Sequence, residues 1–195
     1  MVDDRFQRAV AAFDALNEAD PVRENDAGAE RSRLVVQAER LSRWVERLDP
    51  DASESLRLAA RCQHLERWKI PRTDFPEGRV GYLRWRTRLG QFHAARAAEV
   101  LRQEGYDEDV ISRVDTIVRK QGITINPDVQ TMEDALCLVF LEYELDAFMD
   151  KYPDEEKAVD ILRKSWGKMS PRGRDAALAL PLTGRAQELV GRALA

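Results

Sequence analysis

The stretch that decides the fold is RSRLVVQAERLSRWVERL, residues 31–48. Leu34, Ala38, Leu41, Val45 and Leu48 recur there at +4, +3, +4 and +3, which is one apolar stripe along an α-helix. Asp49-Pro50 closes this helix, and Ser53 is placed to cap the next one, read over residues 54–68. Pro71 and the Phe75-Pro76-Glu77-Gly78 run mark a loop.

The same reading continues outward in both directions. A long helix is predicted over 81–104, stopped by Gly105. Asp107 caps the following helix, with Val110, Val114, Ile117 and Val118 facing inward and Gly122 as its stop. Thr131-Met-Glu-Asp134 has capping-box spacing before a stripe of Ala135, Leu136, Val139, Phe140 and Tyr143. Residues 154–166 form a further helix, Ser170-Pro171 opens another with proline at its first turn, and Thr183 starts the last. Only Ile123 to Ile125 alternates as a strand does. The prediction is an all-α, single multi-helix domain of eight or nine helices. Residues 1–19 would be a docked N-terminal helix, 29–152 the core and 153–195 a C-terminal helical cap.

Composition narrows the function classes. The chain has 195 residues, 44% of them hydrophobic and 34% charged, which suits a packed domain and not a disordered one. No apolar run approaches the roughly 18 residues that span a bilayer, and the mean hydropathy is −0.51. The first residues, MVDDRFQRAV, lack the basic-then-apolar order of a signal peptide. Cys62 and Cys137 fit neither a disulfide framework nor a metal-binding CxxC, so a reducing cytoplasm is expected. Both lie in apolar helical stretches, where a buried, inert thiol is the usual case.

The net charge of −4 argues against a protein that coats nucleic acid, but it hides a local bias. Residues 61–102 hold ten basic side chains against four acidic ones, giving +6, so the other 153 residues carry −10. Such a zone suits a small anionic ligand gripped by guanidinium groups. It also suits RNA, because Trp68, Tyr82 and Trp85 interleave with the arginines. The simpler reading is a set of solvated helix faces in an arginine-rich chain, which has 25 Arg and 6 Lys. The two histidines, His64 and His93, both fall in the basic zone. With a later carboxylate such as Asp134 they would supply three donors to one divalent metal ion, if the fold brings them together, whereas spacing alone favours histidines that hydrogen-bond within the core or sit half-exposed beside aromatics.

Several strings have a familiar look. ARCQHLERWKIPR at 60–72, GYLRWR at 81–86, FHAAR at 92–96, EDALCLVFLE at 133–142 and KMSPRG at 168–173 resemble the family of domain of unknown function 4202. The resemblance covers nearly the whole chain and implies no activity. Members are often labelled glutamyl-tRNA synthetase-like, and Lys168-Met169-Ser170 is similar to the opening of the synthetase KMSKS loop. Pro171-Arg172 replaces its end, however, no HIGH-like motif precedes it and the strand-rich nucleotide-binding core is missing, so the synthetase reading is rejected.

A more distant resemblance is to HD-domain phosphohydrolases, all-α enzymes that hold a divalent metal between helices. AARCQH at 59–64 looks like their AALLHD helix, and Glu133-Asp134-Ala135 occupies the place of their last aspartate. His64-Leu65 stands where the His-Asp pair belongs, and Gln37 stands for the first histidine.

Three readings follow. The first is a hydrolase of a nucleotide or another small phosphorylated molecule. In it the metal sits on His64, His93 and Asp134, and Glu66 or Glu133 is the general base. Arg67, Arg72, Arg86 and Lys120 neutralise phosphate, beside Trp68 and Trp85. The second is a non-catalytic module that holds an anionic ligand or RNA through its arginines. The third is a helical scaffold using Leu178, Leu180, Leu189 and Val190 for protein contacts.

Overall fold

The computed structural model describes residues 4–151, 154–182 and 184–194. Tyr152, Pro153 and Thr183, read as a boundary and a helix start, lie outside them. The described residues form ten α-helices and one small hairpin. In order these are α1 (Asp4–Glu18), β1 (Arg23–Asp26), β2 (Ala29–Ser32), α2 (Arg33–Leu48), α3 (Glu54–Cys62), α4 (Gly78–Gln103) and α5 (Glu108–Val118). They are followed by α6 (Pro127–Val139), α7 (Leu145–Lys151), α8 (Glu155–Trp166), α9 (Pro171–Leu178) and α10 (Gly184–Leu194).

The stripe of α2 behaves as its spacing predicts, since Leu34, Ala38, Leu41, Val45 and Leu48 are all buried. It packs against α3 and α6, and α1 covers the other side of α3 with Ala9 and Phe13. The Ser53, Asp107 and Ser170 caps each accept the backbone N–H three residues on, as their sequence positions lead one to expect. Asp154 caps α8 in the same way.

Four expectations are corrected. The first is α3, which stops at Cys62 and not at Trp68; residues 63–66 turn, and a short 3-10 turn follows at Arg67–Lys69. Glu66 sits at the break with a left-handed φ of 51°. The second is α6, which begins at Pro127 under an Asn126 cap, so Thr131 to Asp134 is helix interior and not a capping box. The third is the helix count: a π-helical turn at Phe140–Glu144 separates α6 from α7, which makes ten helices among the described residues where eight or nine were expected. The last is the strand assignment. Ile123 to Ile125 is part of a turn, while the hairpin lies at residues 23–32, where no strand was expected. Its two-residue loop, Ala27-Gly28, has φ of 52° and 90°, the primed turn that tight hairpins require. Its strands are charged and stabilised by ion pairs such as Arg40 with Glu24 and Arg31 with Asp26.

Asp134 is central to how the C-terminal helices dock. Its fully buried carboxylate accepts the Ser170 N–H at 2.8 Å, the Ser170 hydroxyl at 2.5 Å and the Gln130 side-chain amide at 3.0 Å. It therefore lies against the N-terminus of α9, where the helix dipole favours a negative charge. Gly173 leaves room for it: a methyl group there would stand 2.6 Å from the Asp134 Cγ. Gly173→Ala is predicted to cost about 1–3 kcal/mol by overpacking, and Asp134→Ala about 2–3 kcal/mol through orphaned buried donors. Urea unfolding of the two single variants and the double variant checks this. The Gly173→Ala cost should shrink in the Asp134→Ala background, and full additivity would contradict the assignment.

Candidate functional site

The early end of α3 creates the site. Residues 63–67, the middle of α4 and the end of α5 leave between them a cavity of about 350 Å³. His64, Arg67, Arg86, His93, Arg119 and Lys120 line it, joined by Gln63, Thr87, Gln91 and Gln121. That volume is in the range of small-molecule sites.

Two of its four cations have carboxylate partners. Lys120 donates to Glu133 at 2.6 Å, and Arg119 to Asp115 at 3.2 Å. Arg67 and Arg86 do not: among the described residues neither is in an ion pair. Arg67 lies over the Trp85 ring at 4.7 Å, and Arg86 donates to the Tyr82 hydroxyl at 3.3 Å. Burial, aggravated by Arg86, pushes the Arg67 guanidinium down to about 10. Its protonated form is thus held in an unfavourable environment that an anion would relieve.

The histidines are close neighbours, with ring centroids 6.2 Å apart and planes edge to face. His93 Nδ1 lies 2.7 Å from the Leu65 carbonyl, an acceptor, so Nδ1 carries the proton and donates it. Nε2 is then a lone-pair acceptor, buried and without a partner among the described residues. Burial pushes the His93 imidazole down to about 4, and burial with Arg67 nearby holds His64 well below its ordinary value. Gln63 is similar. Its amide N–H₂ donates to the Val118 carbonyl at the end of α5, at 3.1 Å, and its buried Oε1 has no donor among the described residues.

The other residues singled out from sequence are engaged elsewhere. Asp134 binds Ser170 and does not join the histidines. Glu66 is ion-paired to Lys69 and to Arg96, the latter at 2.6 Å. Burial works to raise the Glu66 pKa, but these two cations overcome it and leave it below the ordinary value. Glu133 follows the same pattern: Lys120 and, at 3.6 Å, Lys168 outweigh its burial. Neither glutamate lines the cavity. Arg72 donates to the Phe75 carbonyl at 2.8 Å and shapes the loop. The Trp85 N–H donates to the Ile70 carbonyl at 2.9 Å and its ring supports Arg67, while Trp68 is half-buried away from the cavity. Burial raises both Cys62 and Cys137 to about 12, so neither is a nucleophile.

Sequence reasoning missed Gln63, Thr87, Gln91, Arg119 and Gln121. Gln63 adjoins His64, and Arg119 and Gln121 flank Lys120, so adjacency was the available signal.

A divalent metal does not fit these donors. Among the described residues, no group of three or more His, Cys, Asp or Glu side chains is placed to hold one. The cavity offers imidazoles and amides, and its charges are positive, which opposes a hard cation.

A family model described as domain of unknown function (DUF4202) matches residues 7–190. The chain belongs to the DUF4202 family. Every string that suggested the resemblance lies within the matched span, and so does every residue of the cavity. No curated protein and no solved structure matches this DUF4202 chain. No helix among the described residues is long and apolar enough to cross a membrane.

The buried neutral imidazole has a consequence for pH. In the unfolded chain His93 protonates near 6.5, whereas in the fold it stays neutral down to about 4. Its contribution to stability is complete above 6.5 and is lost as pH falls toward 4, on the order of 3 kcal/mol, with His64 acting in the same direction. Thermal unfolding of wild type and His93→Gln between pH 7.5 and about 4 should show a shallower dependence in the variant. Parallel curves would contradict the assigned protonation state.

Proposed function

We propose that this DUF4202 protein binds a small phosphorylated molecule in the cavity between α3, α4 and α5, with Arg67 and Arg86 gripping the phosphate. The observation that carries the reading is that these two guanidinium groups line one cavity and, among the described residues, have no carboxylate partner. A phosphate would supply charge-assisted hydrogen bonds to both and lift the repulsion between them. Lys120 stands at the same wall, although Glu133 neutralises part of its charge.

The reading is one of binding and includes no metal-assisted hydrolysis, because the donors at the cavity do not suit a divalent cation. A small ligand is favoured over RNA. The tryptophan that would stack a base lies under Arg67 and is tied to the loop through its N–H.

Calorimetric titration with methyl phosphate and inorganic phosphate, at constant ionic strength set by chloride, tests it. Saturable binding to the wild type is expected, weakened about 10-fold or more in Arg67→Met and in Arg86→Met. Heats no larger than chloride produces, or arginine variants that bind as the wild type does, would overturn the proposal. Tighter binding of short RNA with a steep salt dependence would do the same, in favour of a nucleic-acid surface.

A further inference from the structure

The phosphate accounts for the cations of the cavity and leaves its other half unexplained. Buried polar groups normally have hydrogen-bond partners. Two acceptors in residues that line this wall have none among the described residues: His93 Nε2, in a residue 2% exposed, and Gln63 Oε1, in a residue 5% exposed, each closed off from solvent so that a donor reaches it only as the lining side chains adjust. Both lack a donor, and neither can rotate to a better arrangement without giving up its bond to Leu65 or Val118. At the more open side, Thr87, Gln91 and Gln121 add a hydroxyl and two amides. Apolar lining is confined to side chains such as Leu89 and Val118, and among the described residues no Phe, Tyr or Trp faces the cavity. A nucleobase would find no aromatic platform there, whereas several hydroxyl groups would find acceptors.

We infer that the ligand is a polyhydroxylated phosphate ester of the sugar-phosphate class, whose hydroxyl groups donate to His93 Nε2 and Gln63 Oε1 while its phosphate lies on Arg67 and Arg86. This rests on the phosphate reading above and adds the part of the ligand that distinguishes it from a bare anion. Discrimination against a molecule that lacks the hydroxyls is built in, because it would leave both acceptors unsatisfied. The volume of about 350 Å³ accommodates a pentose or hexose phosphate.

Calorimetry on the full chain with three probes tests the inference: ribose 5-phosphate, methyl phosphate and adenosine 5′-monophosphate. Ribose 5-phosphate is expected to bind at least tenfold more tightly than either of the others. Gln63→Met should reduce that advantage, as should Thr87→Val with Gln91→Leu, a pair on the exposed rim that spares the core. Methyl phosphate binding as tightly as ribose 5-phosphate would overturn the sugar-phosphate assignment while leaving the phosphate site intact. Adenosine monophosphate binding as tightly or more tightly would overturn it in favour of a nucleotide. If none of the three binds in a way that depends on Arg86, the phosphate reading itself fails.

Discussion

When α3 ends at Cys62, local turns pair the Leu65 N–H and the His64 and Glu66 carbonyls, while the Leu65 carbonyl and the Glu66 N–H take side chains from distant segments. The Leu65 carbonyl accepts from His93 in the middle of α4. The Glu66 N–H donates to the buried Asn17 side chain from α1 at 2.9 Å, and the Glu66 carboxylate binds Arg96. Without these groups, buried backbone would be left unpaired at a cost of about 1–3 kcal/mol each. With them, the chain turns sharply enough for Glu66 to adopt a left-handed conformation that costs about 1 kcal/mol or more. The direction of Arg67 and the placement of His64 and Gln63 at the cavity follow from that turn.

The two ends of α4 serve different purposes. Its C-terminal half is packed, with Ala94, Ala97, Val100 and Leu101 buried, and it carries His93 as a fixed strut. Its N-terminal half is held by the 63–77 loop: the Trp85 N–H binds Ile70, and Gly81 lies so close to Pro76 that a methyl group there would fall 1.8 Å from its carbonyl oxygen. Arg86 emerges where these halves meet. The cavity is thus assembled from an interrupted helix, a packed helix and the end of a third, so its cations are positioned by packing and not by one another.

The helices were legible where local signals agree with tertiary packing. The stripe of α2 and the caps at Ser53, Asp107 and Ser170 are such places. The end of α3 was not legible, because Leu58, Cys62 and Leu65 continue a helical spacing and the interruption depends on Asn17 and His93. The start of α6 had a readable signal, Asn126-Pro127, that Thr131-Met-Glu-Asp134 overshadowed; the latter fell inside the helix, where the buried Glu133 and Asp134 found partners in Lys120 and Ser170. Of the candidate site, the basic zone holding His64, His93, Arg67 and Arg86 was visible as a charge imbalance, and Lys120 lies outside that zone. Which arginines are neutralised was not visible. Arg61, Arg96 and Arg102 have carboxylate partners from other turns or helices, and sequence spacing does not reveal those pairs.

An anion lying between Arg67 and Arg86 is what the proposed function requires. A crystal structure of the protein grown with ribose 5-phosphate tests it most directly. The predicted result is a phosphate group within hydrogen-bond distance of both guanidinium groups, with sugar hydroxyls turned toward His93 Nε2 and Gln63 Oε1. Phosphate density absent from this cavity at saturating ligand, or present only at other surface arginines, would contradict it.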